Sequence, residues 1–230
     1  MKCELRIPTV VRLYDEGVEG VRIPALGDFI RNYFGIGKIR HIILKKRVVA
    51  MRGLELDMIA TQDALDAVRG PMQEGTCDII LTSRLFATPG EGNRPHIRTS
   101  IYSFPSIIST SGIVEGPAKP REYYLYKQRY ARLGIWDREA HRIAERFKGQ
   151  FIDYGDPRLT EVIKGYVAQA LFFFMTGNPF CMRKRCRLYN AHWQEDMIRA
   201  QMGHGEFCSA HRRMLARIAG EIHRKTAGSR

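Results

Sequence analysis

Four residues near the end of the chain have the types and spacing of a metal site. They fall as Cys181-x4-Cys186, then twenty-one residues, then Cys208-x2-His211. Zinc takes thiolate and imidazole ligands tetrahedrally, most often as two short-spaced pairs that the fold brings together. A gap of two to four residues lets one loop present both ligands of a pair, and both pairs meet that condition. Four protein ligands fill the coordination sphere, so one zinc per chain is expected, in a structural and not a catalytic role. The chain has five cysteines, an odd number, and three of them lie in the last fifty residues. A disulfide framework would favour an even count in a secreted chain. Cys3 and Cys77 sit in apolar or strand-like surroundings and are expected to be small buried hydrophobes.

Other polar groups are less pointed. In the run Asn190 to Asp196, His192 and Asp196 are four apart and would share a face if the run is helical, with Glu195 three from His192. These three are the candidates for a second metal or for acid–base chemistry. The plainer reading is an exposed polar helix face, with His192 and Gln194 packed on the cysteine loop. His204, between two glycines, is either a loop ligand or simply exposed. Basic residues concentrate on the loop (Arg183, Lys184, Arg185, Arg187, beside Tyr189 and Trp193) and on the last helix (Arg212, Arg213, Arg217, His223, Arg224, Lys225). With a net charge of +13, contact with nucleic-acid phosphates is one reading and a solvated basic surface is the other. No zinc-finger or other DNA-reading spacing is present.

The elements that must position these groups follow from pattern. Thr9 to Tyr14 is rich in β-branched residues and predicts a strand. Pro24 opens a helical pattern with Leu26, Phe29, Ile30 and Tyr33 on one face, ended by Gly35 and Gly37. Ile39 to Met51 predicts a strand, Asp57 to Ala67 a helix, and Cys77 to Leu85 a strand. Ala87 to Pro95 is a loop. Ile97 to Phe104 and Ile107 to Val114 predict two more strands. Glu122 to Lys148 is helical and highly charged, with a break near Gly134. Asp156 can cap a long apolar helix over Leu159 to Met175, whose second half is apolar enough to be buried on all sides. Gly177, Asn178 and Pro179 end it. Ala191 to Met202 and Ala210 to Ile222 predict the last two helices.

Strand–helix alternation in the first part argues for an α/β (α+β) layer arrangement. Residues 1–154 form an α/β part and residues 155–230 a helical lobe clipped by the metal. The 230 residues, 44% of them hydrophobic, suffice for one compact domain. The segment Met1 to Arg6 lacks the apolar core of a signal peptide. No run approaches the ~18 apolar residues that a membrane span needs. A cytoplasmic protein without membrane contact is the expectation.

The tail resembles the archaemetzincins, a family of zinc metallopeptidases with the signature His-Glu-x2-His-x2-Gly-x2-His-Cys-x4-Cys-x-Met and a later Cys-x2-Cys. With Cys181 on the first cysteine, Gly177 falls on the metzincin glycine and Cys186 on the second cysteine, while Cys208 and His211 form the closing pair. The resemblance covers residues 155 to 215. It implies a metzincin-like single domain in which Leu159 to Met175 is the active-site helix. The three zinc-binding histidines of the family fall here on Ala170, Phe174 and Phe180, the general-base glutamate on Leu171, and the Met-turn methionine on Leu188. None of these side chains binds zinc or moves a proton. Leu171, Phe172, Phe173 and Phe174 are expected to fill the presumed site with hydrocarbon. The resemblance therefore implies a metallopeptidase homologue that keeps a structural zinc, has lost its catalytic centre, and binds a peptide or protein partner. Two alternatives stand beside it: an active zinc peptidase with substitute ligands around His192, Glu195 and Asp196, and a nucleic-acid-binding protein that uses the basic loop.

Overall fold

The computed structural model describes residues 5–44, 73–89 and 95–227. Five strands form one sheet: β1 (Val10–Asp15), β2 (Lys38–Ile43), β3 (Thr76–Thr82), β6 (Ser100–Ile101) and β7 (Ser106–Ser109), in the order β2-β1-β3-β7-β6. The first four in that order run parallel, and β6 closes the edge antiparallel to β7. A separate antiparallel pair joins β4 (Phe86–Pro89) to β5 (Pro95–Arg98). The mixed α/β class read from the sequence is the observed one.

The period of two in a strand sends alternate side chains to opposite faces. On β1, Val11 and Leu13 enter the main core, opposite Cys77 and Ile79 of β3. Arg12 and Tyr14 take the other face, where Tyr14 joins Ile80, Phe86 and Ile107. Arg12 is opposite Asp78 in register, and its Nε and one terminal nitrogen donate to the two carboxylate oxygens at 2.6 and 2.8 Å. Both residues are buried, so the pair supplies the charge compensation that burial demands.

The main core face carries α1 (Ile23–Phe34) and α5 (Leu159–Thr176). Pro24 sits in the first turn of α1, and Gly35 closes the helix at φ 70°. Leu26, Phe29 and Ile30 are buried, while Tyr33 stays half-exposed. Thirteen of the eighteen residues of α5 are buried, as expected for a helix walled in on every side. Asp156 does not cap it directly. Its carboxylate accepts the Arg158 N–H at 2.9 Å and its carbonyl accepts the Leu159 N–H at 3.0 Å, which orders the entry turn. At the other end Gly177, at φ 74°, takes the left-handed position that ends a helix.

Some elements differ from expectation. The strand at Ile107 stops at Ser109, whose hydroxyl accepts the Gly112 N–H at 2.8 Å and so starts the short helix α2 (Thr110–Glu115). A local cap thus overrides β-branched content. The expected strand Ile97 to Phe104 is split between β5 and β6. Of the stretch Ile39 to Met51, the described part is β2. The predicted helix Asp57 to Ala67 and Cys3 lie outside the described residues.

Helices α3 (Arg121–Arg132) and α4 (Trp136–Arg146) form a hairpin that turns at Gly134, φ 66°. It has its own small core: Ile143, Phe147 and Phe151, covered by Tyr123, Tyr126, Tyr130 and Trp136. The last lobe holds α6 (Gln194–Ile198), a π-helical turn (Arg199–His204) and α7 (Ser209–Ala227). Leu215 and Ile218 of α7 join the same core cluster as β1, α1 and α5. Among the described residues no helix is long and apolar enough to cross a membrane.

Candidate metal centre and the neighbouring aromatic groove

After Gly177 the chain turns back along the end of α5 and forms a tight loop. Cys181 N–H donates to the Leu188 carbonyl (2.9 Å), and Cys186 N–H to that of Arg183 (2.9 Å). These bonds fold Cys181 and Cys186 towards one point. Cys208 and His211 reach it from the start of α7, three residues apart on the first turn. The four ligand atoms lie within 4.8 Å of one another. Cys181 Sγ is 4.0 Å from Cys208 Sγ, and His211 Nδ1 is 3.6 Å from Cys186 Sγ and 3.1 Å from Cys208 Sγ.

A tetrahedral zinc with sulfur at about 2.3 Å and nitrogen at about 2.0–2.1 Å has S···S edges of about 3.8 Å and S···N edges of about 3.6 Å. The three separations just given, 3.1 to 4.0 Å, bracket those values, and all four atoms lie within 4.8 Å. The group is able to hold a metal ion, and its donor set of three sulfurs and one imidazole suits a soft or borderline cation. Backbone N–H groups of Arg183 and Cys208 point at Cys181 Sγ (3.4 Å) and Cys186 Sγ (3.5 Å) and add to the stabilisation of thiolates.

The electrostatics of the cluster are mixed. Burial pushes the Cys186 thiol up to about 12. Burial pushes Cys208 up as well, but hydrogen bonds from the His211 N–H and from the neighbouring thiols outweigh it and leave the group below its ordinary value. Burial, helped by the charge of Arg183, holds the His211 imidazole below its ordinary value, in the neutral form that ligates.

The loop also fixes the lobe to α5. Arg187 is buried: it donates to the Gly205 carbonyl at 2.7 Å and to Glu161 Oε1 at 2.8 Å, and its guanidinium lies 5.1 Å from the centre of the Phe29 ring. It therefore does not belong to an exposed basic surface, although it stands in the Arg/Lys run of the loop. Arg183, Lys184 and Arg185 are exposed. Gln201 of the π turn crosses α5 at Gly165, where a Cβ would come within 1.9 Å of its side chain.

Of the positions that the archaemetzincin resemblance aligns with catalytic residues, Ala170, Leu171 and Phe174 lie on α5 and Phe180 on the loop after it. Ala170 and Leu171 are wholly buried. Phe172 points away from this site towards the metal cluster, where it meets Phe34, Phe207 and His211. The expectation that it helps to fill the catalytic position is corrected accordingly. Phe173, Phe174 and Phe180 do gather there. The Tyr102 ring packs on Phe173 and Phe180 at 6.2 and 5.5 Å, and Phe104 on Phe173 and Phe174 at 5.4 and 5.8 Å. The Tyr102 hydroxyl donates to Gln169 Oε1 at 2.5 Å, and Gln169 Nε2 donates to the Tyr189 carbonyl at 3.2 Å. Burial pushes the Tyr102 phenol far above its ordinary value, so it stays a neutral donor. A cavity of about 770 Å³ adjoins this cluster, with Phe104, Pro105 and Phe174 on one wall and Arg6, Glu74 and Asp78 supplying polar groups.

The polar candidates at His192 do not assemble. Trp193 is extended and pairs with Ala118, so the helix begins at Gln194 and leaves His192 outside it. Glu195 pairs with Arg199 at 2.5 Å, while Asp196 pairs with Arg199 at 3.1 Å and with Lys184 at 3.8 Å. Gln194 is buried, but not on the cysteine loop: it accepts the Ile152 N–H and donates to the Ile113 carbonyl. His204 is exposed at the end of the π turn. What pattern reasoning missed was Tyr102 with Gln169, since the two are 67 residues apart in the chain. A glutamine within an otherwise apolar helical run was the available signal.

A family model described as "Probable metallopeptidase family (DUF6775)" matches residues 45–218, a stretch that includes the Cys/His cluster, α5 and the aromatic groove. No curated protein and no solved structure matches the chain.

Proposed function

The chain belongs to this probable metallopeptidase family, and from that premise we propose that it is an archaemetzincin-like member without peptidase activity. One structural zinc sits on Cys181, Cys186, Cys208 and His211. The former catalytic cleft is an aromatic groove that binds a peptide or protein partner in an extended, partly apolar stretch.

The observation that carries this reading is the identity of the side chains at the catalytic register. The side chains of Ala170, Leu171, Phe174 and Phe180 offer no lone pair, and the rings of Tyr102 and Phe104 pack on Phe180 and Phe174. All seven histidines of the chain lie among the described residues, and among those residues only His211 shares a group of three or more metal-binding side chains. Water activation by a metal needs such a group with one position left free. A cavity of about 770 Å³, lined by Phe104, Pro105 and Phe174 and by polar groups that include Arg6, Glu74 and Asp78, has the size of a ligand pocket.

The test is elemental analysis of tag-free protein combined with incubation against a mixed peptide library read by mass spectrometry. One zinc per chain and no cleavage products are the expected result. Two zinc ions per chain, or cleavage that a chelator abolishes, overturns the non-catalytic reading. Phe104→Ala is expected to weaken capture of phenylalanine-rich library peptides at least fivefold, and unchanged capture removes the groove from the proposal.

A further inference from the structure

The α3–α4 hairpin differs from the rest of the molecule in what it shows to solvent. Helix α3 has no buried residue. Its Tyr123, Tyr126 and Tyr130 turn towards Trp136, Phe147 and Phe151. Arg121 and Arg132 stand on its opposite side with Arg129 on the flank, Lys127 lies nearer the rings, and Glu122 is the one acidic residue of the helix. None of those four cations has an ion-pair partner among the described residues, although Lys127 lies 5.7 Å from the Trp136 ring centre. On α4, by contrast, Arg138 and Arg142 share Glu139, and Lys148 after it pairs with Glu145. Residues 119–148 contain nine Lys or Arg against four Asp or Glu.

The hairpin is also held firmly at its base. Ala118 donates to the His192 carbonyl at 2.8 Å and accepts the Gln194 N–H at 2.9 Å. On the returning strand of chain, Arg158 donates to the carbonyls of Gly149 (2.8 Å) and Phe151 (2.6 Å). With its own core and two clamps, the hairpin presents the cations of α3 on a rigid support.

We propose that the outer face of α3 docks on the phosphate backbone of a nucleic-acid duplex. Charge complementarity argues for the polyanion. At about 1.5 Å per residue, Arg121 to Arg132 spans about 16 Å, over which one duplex strand carries about five phosphates. Tyr124 and Gln128 lie between the cations and supply neutral donors to phosphate oxygens. The hairpin's other rings are turned inward, so it lacks the row of exposed aromatics on which single-stranded bases stack. Its exposed leucines, Leu125 and Leu133, fall short of the apolar stripe by which a helix lies in a membrane surface. Backbone contact reads no base, so the binding is independent of sequence. This docking face is separate from the aromatic groove and does not rest on the reading of that groove.

The experiment is fluorescence anisotropy of the full chain with a labelled mixed-sequence DNA duplex at salt concentrations from about 50 to 200 mM. The parent protein is expected to lose affinity steeply with salt. The triple variant Arg121→Gln, Arg129→Gln, Arg132→Gln is expected to flatten the slope of log affinity against log salt by about 0.9 for each phosphate no longer neutralised. Gln keeps the helix propensity of Arg, and an unchanged calorimetric melting temperature verifies folding. Lys184→Gln with Arg185→Gln, on the cysteine loop, is expected to leave the slope as it was. The proposal is overturned if the triple variant binds as the parent does, or if the loop variant alone loses the slope. It is also overturned if the single strand, polyglutamate or phosphatidylserine vesicles bind more tightly than the duplex.

Discussion

Phe172 stands edge-on to His211, with ring centroids 5.1 Å apart and planes at 87°. The buried helix and the metal cluster thus share one wall, and Phe207 and Phe34 extend it towards α1. Loss of metal should be felt along this wall as well as in the loop. Chelation, or Cys186→Ser, is expected to remove the zinc and to destabilise the chain by at least about 3 kcal/mol, or about 6–12 °C in melting temperature at this size. Phe172→Ala should cost about 3–5 kcal/mol and also speed zinc transfer to a competing chelator. Differential scanning calorimetry with parallel metal analysis checks both.

The pH dependence of metal retention has a definite sign. Burial holds the Cys186 thiol protonated, pushed up to about 12, so the proposed zinc would have to displace that proton and is expected to bind more tightly as pH rises. Each proton displaced contributes about tenfold in affinity per pH unit. His211 is held below its ordinary value and is already neutral at pH 7. It competes for its own proton only under more acidic conditions. Titration with a chromophoric chelator between pH 6 and pH 8 should show retention improving steadily. A flat profile would mean that Cys186 is not a ligand.

Gly165 is a packing requirement, not a flexibility device. A Cβ there would lie 1.9 Å from Gln201 Oε1, an atom that is buried without a hydrogen-bond partner. Gly165→Ala is expected to cost about 1–3 kcal/mol. Adding Gln201→Ala should recover part of that loss, a non-additivity that a double-mutant cycle measures directly.

The Arg12–Asp78 pair on the opposite face of the sheet is expected to behave as a unit. Asp78→Ala leaves the buried guanidinium uncompensated and should cost about 3–5 kcal/mol. The double replacement Arg12→Met, Asp78→Leu should cost less than the single one. Denaturant melts of the three proteins give the comparison.

The clustering of Cys181, Cys186, Cys208 and His211 could be read from the sequence because their spacing encodes a local geometry. The pairs Cys181/Cys186 and Cys208/His211 are each set by one turn of chain, and only the meeting of the two pairs needed the fold. Helix α5 was equally legible, since its apolar run and Gly177 fix its type and its end. The helix expected from Ala191 was not, because the Trp193–Ala118 pairing is a contact across the chain that no local pattern carries. The same limit hid the aromatic groove. Phe174 and Phe180 stood out as the residues that the archaemetzincin resemblance aligns with ligands, but Tyr102 and Phe104 come from the sheet edge and reach them only through tertiary packing. The different partners of Phe172 and Phe173 follow from helix geometry, which turns adjacent side chains about 100° apart.

The placement of the two tryptophans has a practical corollary. Trp136 belongs to the hairpin's private core, and Trp193 sits half-exposed at the hairpin's foot, paired with Ala118. Near the cysteine cluster and the parallel strands the absorbing rings are tyrosine and phenylalanine. Emission excited at the red edge of the indole band therefore reports on the hairpin and on the seam where Trp193 of the last lobe meets Ala118. It would register the hairpin coming away from the body, and leave unseen a loosening confined to the parallel strands.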